Sequence, residues 1–333
     1  KELSLEEVEK KDDISNREIL KKIISYAIPF IIIDVAVSLY NFIDMVLISR
    51  TMGYLGYDAA TTEFVTSSVA TWANKINVIV NSVAMGLTVS LIPNIVEAFT
   101  LKKWSLVEKR LNKAIQIILV TCIPMVLGIS FLAKPIWNIF YGNSNLELGS
   151  IVLGVSIFGA LFYNIYMITS MTLQSLNKFK AVYFTTFLGY LTNAFLDVPL
   201  MLLCQHLNLQ PFIGALLATI LGYTLASTSA LIILRKHHQL KYHESYKMFG
   251  KILVPSLCMM LVVFLVARLC PISYNSRTSC IFYVFLTSVS GAIVYLFIAY
   301  KMKILDNVFG KEYLDRIIRK LTFNKWPKKN TKN

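Results

Sequence analysis

IGALLATILGYTLASTSALIIL (residues 213–234) runs straight into RKHHQLKYHESYKMFGK (residues 235–251), and that junction decides the fold. The first stretch has no charged side chain and is close to the ~20 residues a helix needs to cross a hydrocarbon layer. The second holds Arg235, Lys236, Lys241, Lys247 and Lys251. The alternation recurs along the chain. Apolar runs cover Ile23–Ile48, Trp72–Val96, Ala114–Leu132, Ile151–Leu173, Tyr183–Cys204, Ile252–Cys270 and Cys280–Tyr300, and with Ile213–Leu234 they make eight expected spans. A span must satisfy its backbone polar groups internally, and runs of this length exceed the roughly ten residues of a barrel strand. An all-α integral membrane protein is therefore expected. Pro29, Pro93, Pro124 and Pro199 fall inside or near the ends of spans, where neighbouring helices can re-satisfy freed carbonyls.

Charge placement checks the span count independently. Basic residues crowd the segment before the first run, the breaks after the second, fourth and sixth runs, and the tail after the last. The alternate breaks hold only Arg50, Lys134, Arg268 and Arg277, and Lys75 alone lies within a run. A 28-to-4 split that alternates break by break is the cytoplasmic bias of Lys and Arg, and it expects both termini in the cytoplasm. It also accounts for the net charge of +14 without nucleic acid, whose binders gather basic residues on a soluble face. With 56% apolar and 16% charged residues, the chain lacks the polar surface of a soluble domain, where about a quarter of residues are charged.

The expected organisation is a cytoplasmic linker (1–22), five spans (23–204), a sixth (205–234), a basic cytoplasmic loop (235–251), two further spans (252–300), and a cytoplasmic amphipathic helix with a basic tail (301–333). In the last segment Leu305, Phe309, Ile317, Ile318 and Leu321 recur at helical spacing between Lys311, Arg316, Arg319 and Lys320. Such a helix suits an anionic inner leaflet. The chain opens on Lys and shows no signal peptide, which reads as a fragment or the continuation of a longer protein. Cys270 and Cys280 flank one expected outer loop and are within reach of pairing, although single membrane cysteines are the favoured reading. His206, His237, His238 and His243 all sit in breaks, and no nucleophile elbow, phosphate loop or metal motif appears. No cofactor, metal site or enzymatic activity is expected.

Ionisable residues at bilayer depth cost roughly 2.5–3.5 kcal/mol and usually face a cavity or a partner. Asp34, Lys75 and Asp197 stand out, with Asp44 nearer the outer end of its span. Asp34 and Asn41 share a face of the first span, and Asn74, Asn77 and Asn81 line the second beside Lys75. Ser156, Tyr163, Ser170 and Gln174 mark the fourth. Thr186, Tyr190, Asn193 and Asp197 form the cleanest stripe, on the fifth. Four polar lines suggest a water-accessible cleft between these helices, although such residues also hydrogen-bond between packed membrane helices. Lys75 is chemically able to hold a phosphate or pyrophosphate, with Asp34 tuning its charge or binding a coupling cation. An Asp34–Lys75 pair that only locks two helices is the alternative.

Three stretches resemble the multidrug/oligosaccharidyl-lipid/polysaccharide exporter superfamily. YAIPFIIIDVAVSLYNFIDMVLISRTM (26–52) is similar to the span opening its second lobe, with Pro29 and Asp44 in place. NKINVIVNSVAMGLTVSLIPNIVEAF (74–99) is similar to the next, with Pro93 and Glu97. LQSLNKFKAVYFTTFLGYLTNAFLDVPLM (173–201) resembles a later loop and span, from Gln174 to Lys178. Within the superfamily the chain looks most like the stage V sporulation protein B and lipid II flippase branch. The resemblance implies a second lobe plus two extra C-terminal helices, with the first lobe supplied elsewhere, in the bacterial cytoplasmic membrane. It implies export of an undecaprenyl-pyrophosphate-linked sugar, a peptidoglycan or capsule precursor, by alternating access. Lys75, Asn74, Asn81, Tyr190, Asn193 and Asp197 are the expected substrate residues, and Asp34 and Asp44 the expected coupling-ion or cavity charges. A cation-coupled multidrug exporter is the alternative. A membrane enzyme acting on prenyl-linked sugars is disfavoured by the short outer loops, and a non-transporting scaffold ranks with it.

Overall fold

The computed structural model describes residues 16–270, 272, 274, 276–311 and 316, without side chains for part of the first helix (Asp34 among them) or for His237 and His238. The described residues form α-helices and contain no strand. Helix α1 (Asn16–Tyr54) is continuous, and its 39 residues extend about 58 Å, nearly twice the ~30 Å hydrocarbon layer. A turn through Gly56 (φ +85°) leads to α2 (Ala59–Ser67), capped by Asp58, whose carboxylate accepts from the Thr61 amide at 2.9 Å. One π turn (Ser68–Trp72) joins α2 to α3 (Ala73–Thr88), and a 3₁₀ turn (Val89–Leu91) joins α3 to α4 (Ile92–Thr100).

After these come α5 (Trp104–Phe131), the short α6 (Ala133–Tyr141), α7 (Leu146–Ser175), α8 (Phe179–His206), α9 (Phe212–His238), α10 (His243–Leu269), α11 (Arg277–Lys301) and α12 (Ile304–Phe309). Seven segments among the described residues are long and apolar enough to cross a membrane: Ala59–Thr100 and the helices α5 and α7 to α11. This is a multi-pass, all-helical membrane protein. The first of the eight expected spans lies within α1, for which many side chains fall outside the described residues.

Helices outrun the apolar runs that announced them. The second expected span began at Trp72, but the helical segment begins at Ala59. Pro93 does not kink an interior; it stands in the first turn of α4, where its missing N–H costs nothing. Several connections turn through a single left-handed residue, including Lys102, Asn177, Asn208, Gln239 and Lys303, which is why the breaks are short.

Helix α5 is the hub. Its Leu111, Ile118 and Cys122 are fully buried, and it packs on α7, α10, α3 and α4. At the lysine-rich end, Asn112 donates to the Lys241 carbonyl (2.7 Å) and Glu108 accepts from the Lys241 amide (2.9 Å). These two bonds hold the α9–α10 turn. The expected surface helix at the C-terminus behaves differently where it is described. Ile304, Leu305 and Val308 of α12 are buried in the same core, and Lys113 donates to the Asn307 carbonyl at 2.7 Å. Its apolar face is thus satisfied by the protein; the expected continuation through Leu321 lies outside the described residues. A second core occupies the opposite end, where Ile48, Met52, Leu153 and Phe212 surround Trp137. The Cys270–Cys280 pairing within reach of the sequence is not formed, and Cys122, Cys204, Cys258 and Cys270 are free thiols.

Candidate functional site

Between the two cores the packing opens into a cleft of about 240 Å³. Helix α1 contributes Asn41 and Asp44, α3 contributes Asn74, Asn77 and Asn81, α7 contributes Ser156 and Tyr163, and α9 contributes Thr219 and Tyr223. Local spacing explains the set. Asn74, Asn77 and Asn81 at i, i+3 and i+7 form one stripe, as do Thr219 and Tyr223 at i and i+4. The π turn ahead of α3 shifts its register just where Val69 and Ala70 reach the cleft. The Tyr141 hydroxyl donates to the Trp72 carbonyl at 2.7 Å and secures that turn, within a cluster of Trp72, Trp137 and Tyr141 rings.

The lining is neutral and rich in acceptors, apart from the single carboxylate of Asp44. Asn164 of α7 donates to Asn81 at 2.8 Å and so positions it. Asn77 is 8% exposed, and its Oδ1 has no partner among the described residues. A buried carbonyl oxygen left without a donor costs free energy, so this atom is poised for a ligand group or water.

Asp44 belongs to a second arrangement as well. Asn193 of α8 donates to Asp44 Oδ1 at 3.0 Å and to Asp197 Oδ2 at 3.2 Å, which brings the two carboxyl groups together around one carboxamide. Asp197 is fully buried, and Asp197 Oδ1 and Asn193 Oδ1 have no donor among the described residues. Two carboxyl groups and a carboxamide, with spare acceptor oxygens inside a membrane bundle, suit a small cation or a proton.

The expected residues therefore divide. Asn74, Asn81 and Asp44 line the cleft. Asn193 and Asp197 stand behind it, between α1 and α8. Tyr190 lines a narrow neighbouring void with Tyr166, Thr186 and Tyr223. Lys75 is exposed beside the cleft and is not among its lining residues. The Asp34 side chain, and with it the Asp34–Lys75 pair, lies outside the described residues. The four-line expectation placed α8 in the cleft wall; the structure puts α9 there and turns the α8 stripe into helix contacts, with Thr186 bonded to Tyr166 at 2.6 Å. Thr219, Tyr223 and Asn164 were missed. The spacing of Thr219 and Tyr223 was a usable signal, hidden among the small residues of the sixth run.

A model of the MatE family matches residues 29–198, from α1 to α8. Over 304 residues the chain is 29% identical to the lipid II flippase MurJ of Bacillus subtilis (strain 168), a match that takes in 90% of the chain and 55% of that protein. A solved structure of a lipid II flippase MurJ in an inward closed conformation shares the fold, with TM-score 0.61 and 20% identity over 80% of this chain and 51% of that one. The chain thus spans about half the length of the relatives it matches. With half its residues under the family model, including both helices that carry Asp44, Asn193 and Asp197, the chain belongs to the MatE family.

Proposed function

We propose that the chain forms the second lobe of a two-lobe transporter that carries a prenyl-pyrophosphate-linked sugar, a peptidoglycan lipid II or capsule precursor, from the inner to the outer leaflet of a bacterial cytoplasmic membrane. The observation that carries the reading is the cleft, a carboxamide-lined recess at membrane depth whose one ionisable carboxyl group is Asp44. Sugar hydroxyl and acetamido groups are both donors and acceptors, and Asn41, Asn74, Asn77 and Asn81 match them without requiring charge. The likeness to a lipid II flippase along most of the chain supports the same reading. The 28-to-4 bias of basic residues supports a cytoplasmic lysine-rich end and cytoplasmic termini.

A first lobe, from the same protein or a partner chain, completes the cavity, and the lobes rock around the cargo. Lys75, exposed at the edge of the cleft, meets the pyrophosphate as a point charge. The cleft takes the sugar. Membrane lipids and the cargo's prenyl chain share the apolar outer surface. Asp44, Asn193 and Asp197 bind the coupling cation, and because Asp44 also lines the cleft, cargo and cation act on one side chain.

The test joins the chain to a first lobe in liposomes containing a fluorescent prenyl-pyrophosphate sugar and follows its appearance in the other leaflet. Flipping that Lys75→Ala lowers several-fold supports the assignment; flipping untouched by that change removes Lys75 from the site. The acidic cluster favours one alternative, a cation-coupled exporter of amphipathic drugs. That reading takes over if no lipid-linked sugar moves while drug efflux follows the external cation.

A further inference from the structure

Backbone carbonyls decide which way two of the cleft carboxamides face. A backbone carbonyl only accepts, so the side-chain atom bonded to it is the amide nitrogen. Asn164 Nδ2 donates to the Ala160 carbonyl at 2.7 Å and to Asn81 Oδ1 at 2.8 Å. The first bond identifies the nitrogen, and the second uses its other N–H. Asn81 can answer only with its oxygen, since its own nitrogen there would set donor against donor. Its NH2 group, on the other arm of the same planar amide, is thereby left for the cleft that Asn81 lines. A carbonyl on α7 thus sets the sense of a side chain on α3.

Asn74 is held in the opposite sense. Its nitrogen donates to the Ala70 carbonyl at 3.0 Å, so its oxygen is left for the cleft, to which Asp44 adds a carboxyl group. The wall of α3 therefore has a polarity: an acceptor at Asn74 and, two turns along at Asn81, a donor. Asn164 bears a cost for this arrangement. It is fully buried, and its Oδ1 has no donor among the described residues. Leu fills a similar volume without an orphaned oxygen, so packing alone does not call for Asn here.

Sugar hydroxyls both donate and accept, and a carboxamide of either sense serves them. A donor held in one sense matches a group that only accepts, and on a sugar ring that group is the carbonyl oxygen of an acyl substituent. We propose that Asn164 is a positioning residue that holds the Asn81 N–H groups toward the cargo, and that the cleft thereby selects an N-acylated sugar over one bearing hydroxyls alone. This selection rests on the reading of the cleft as the sugar site. Phosphate oxygens also only accept, so the test below separates them from an acyl carbonyl. A bond that served merely to join α3 to α7 would make no distinction between one sugar and another.

Binding is read directly, without flipping. The chain, joined to a first lobe as in the flipping test, is titrated at pH 8 with N-acetylglucosamine, glucose and glucosamine, and saturation-transfer NMR follows each sugar. Wild type is expected to hold N-acetylglucosamine several-fold more tightly than glucose. Asn164→Leu releases the Asn81 amide, and the preference is expected to fall several-fold while glucose binding changes little. Asn81→Asp keeps an oxygen for the Asn164 donor and, ionised at this pH, turns a second oxygen to the cleft. Its preference is expected to vanish or to pass to glucosamine, whose amine donates. If Asn164→Leu does not fold, as judged by helical content and elution in detergent, Asn81→Asp alone decides. Equal losses for N-acetylglucosamine and glucose in Asn164→Leu overturn the proposal, and so does a preference that survives both changes. Inorganic pyrophosphate that displaces N-acetylglucosamine from wild type but not from Asn81→Asp makes Asn81 a phosphate contact and overturns it as well. Wild type that binds both sugars without preference fails this proposal alone, whereas wild type that binds neither fails the sugar-site reading beneath it.

Discussion

Helices α8 and α9 touch along glycines, while α1 and α3, a few residues away across the same bundle, stand apart around a cavity. A Cβ on Gly214 would sit 2.3 Å from the Leu200 backbone, and one on Gly222 would sit 2.7 Å from the Gly189 carbonyl. On the other side, Asn41, Asn74 and Asn77 reach into a recess of about 240 Å³. Lipid tails give helices no hydrophobic reason to associate with one another, so close backbone approach and dispersion must hold the first region. The second region forgoes those contacts and leaves the Asn77 carbonyl without a partner among the described residues. One half of the lobe is built as a frame and the other as a receptor, with Asn193 and Asp197 on the frame reaching Asp44 on the receptor.

The largest effect should come from filling the frame. Gly214→Val drives a side chain into backbone that cannot yield, and it is expected to cost about 3 kcal/mol or to abolish folding. Thermal unfolding in detergent measures it. Gly128, inside α5 with open space around its added Cβ, is the control: Gly128→Ala is expected to be neutral or to gain about 0.5–1 kcal/mol from helix propensity. Equal losses at both positions would erase the distinction between frame and surface.

Cutting the link between the halves comes next. Asn193→Leu removes the donor shared by Asp44 and Asp197 and is expected to cost about 1–3 kcal/mol. It should also abolish any rise in melting temperature that sodium or another small cation gives the wild type, since a ligand of the folded state stabilises only where its site survives. A cation-induced rise that persists in Asn193→Leu would move the cation elsewhere. Tyr141→Phe should cost less, about 1 kcal/mol, because it loses the bond to the Trp72 carbonyl but keeps the ring packing. Hydrogen exchange across Ser68–Trp72 should rise with it.

How much of this was legible follows the same division. The break-by-break charge count located the helices because Lys and Arg avoid the hydrocarbon whatever the tertiary packing. It misplaced helix ends, since Lys247 and Lys251 ride on the first turns of α10 and a helix need not stop where the membrane does. The segment 59–71 was invisible as helix, being rich in Thr and Ser that bond their own backbone, as Thr66 does to Thr62. On the receptor side, Asn74, Asn77 and Asn81 were readable from spacing alone. The contact between Asp44 and the Asn193–Asp197 pair was not, because it depends on α1 packing against α8 across 149 positions of sequence. Tyr223 was missed for a related reason: it is an uncharged residue in an apolar run, and its place in the cleft wall depends on α9 packing against α7 and α8.

The smallest expected effect has the opposite sign. On the frame the Asn193 carboxamide donates to two carboxyl groups, and its loss should destabilise even though its own carbonyl oxygen has no donor among the described residues. In the receptor Asn77 is nearly as buried, yet its carbonyl has no donor, so the folded state already bears the cost of desolvating that atom. Asn77→Leu has a similar volume and removes the cost, and it should leave stability unchanged or raise it by up to about 1 kcal/mol in the same unfolding measurement. If the cleft is the sugar site, the same change should lower flipping in liposomes, so stability and function move apart at this one residue. A loss of stability at Asn77 comparable to that of Asn193→Leu would mean that its carboxamide is a structural member of the bundle, and the cleft would lose its best evidence of being a receptor.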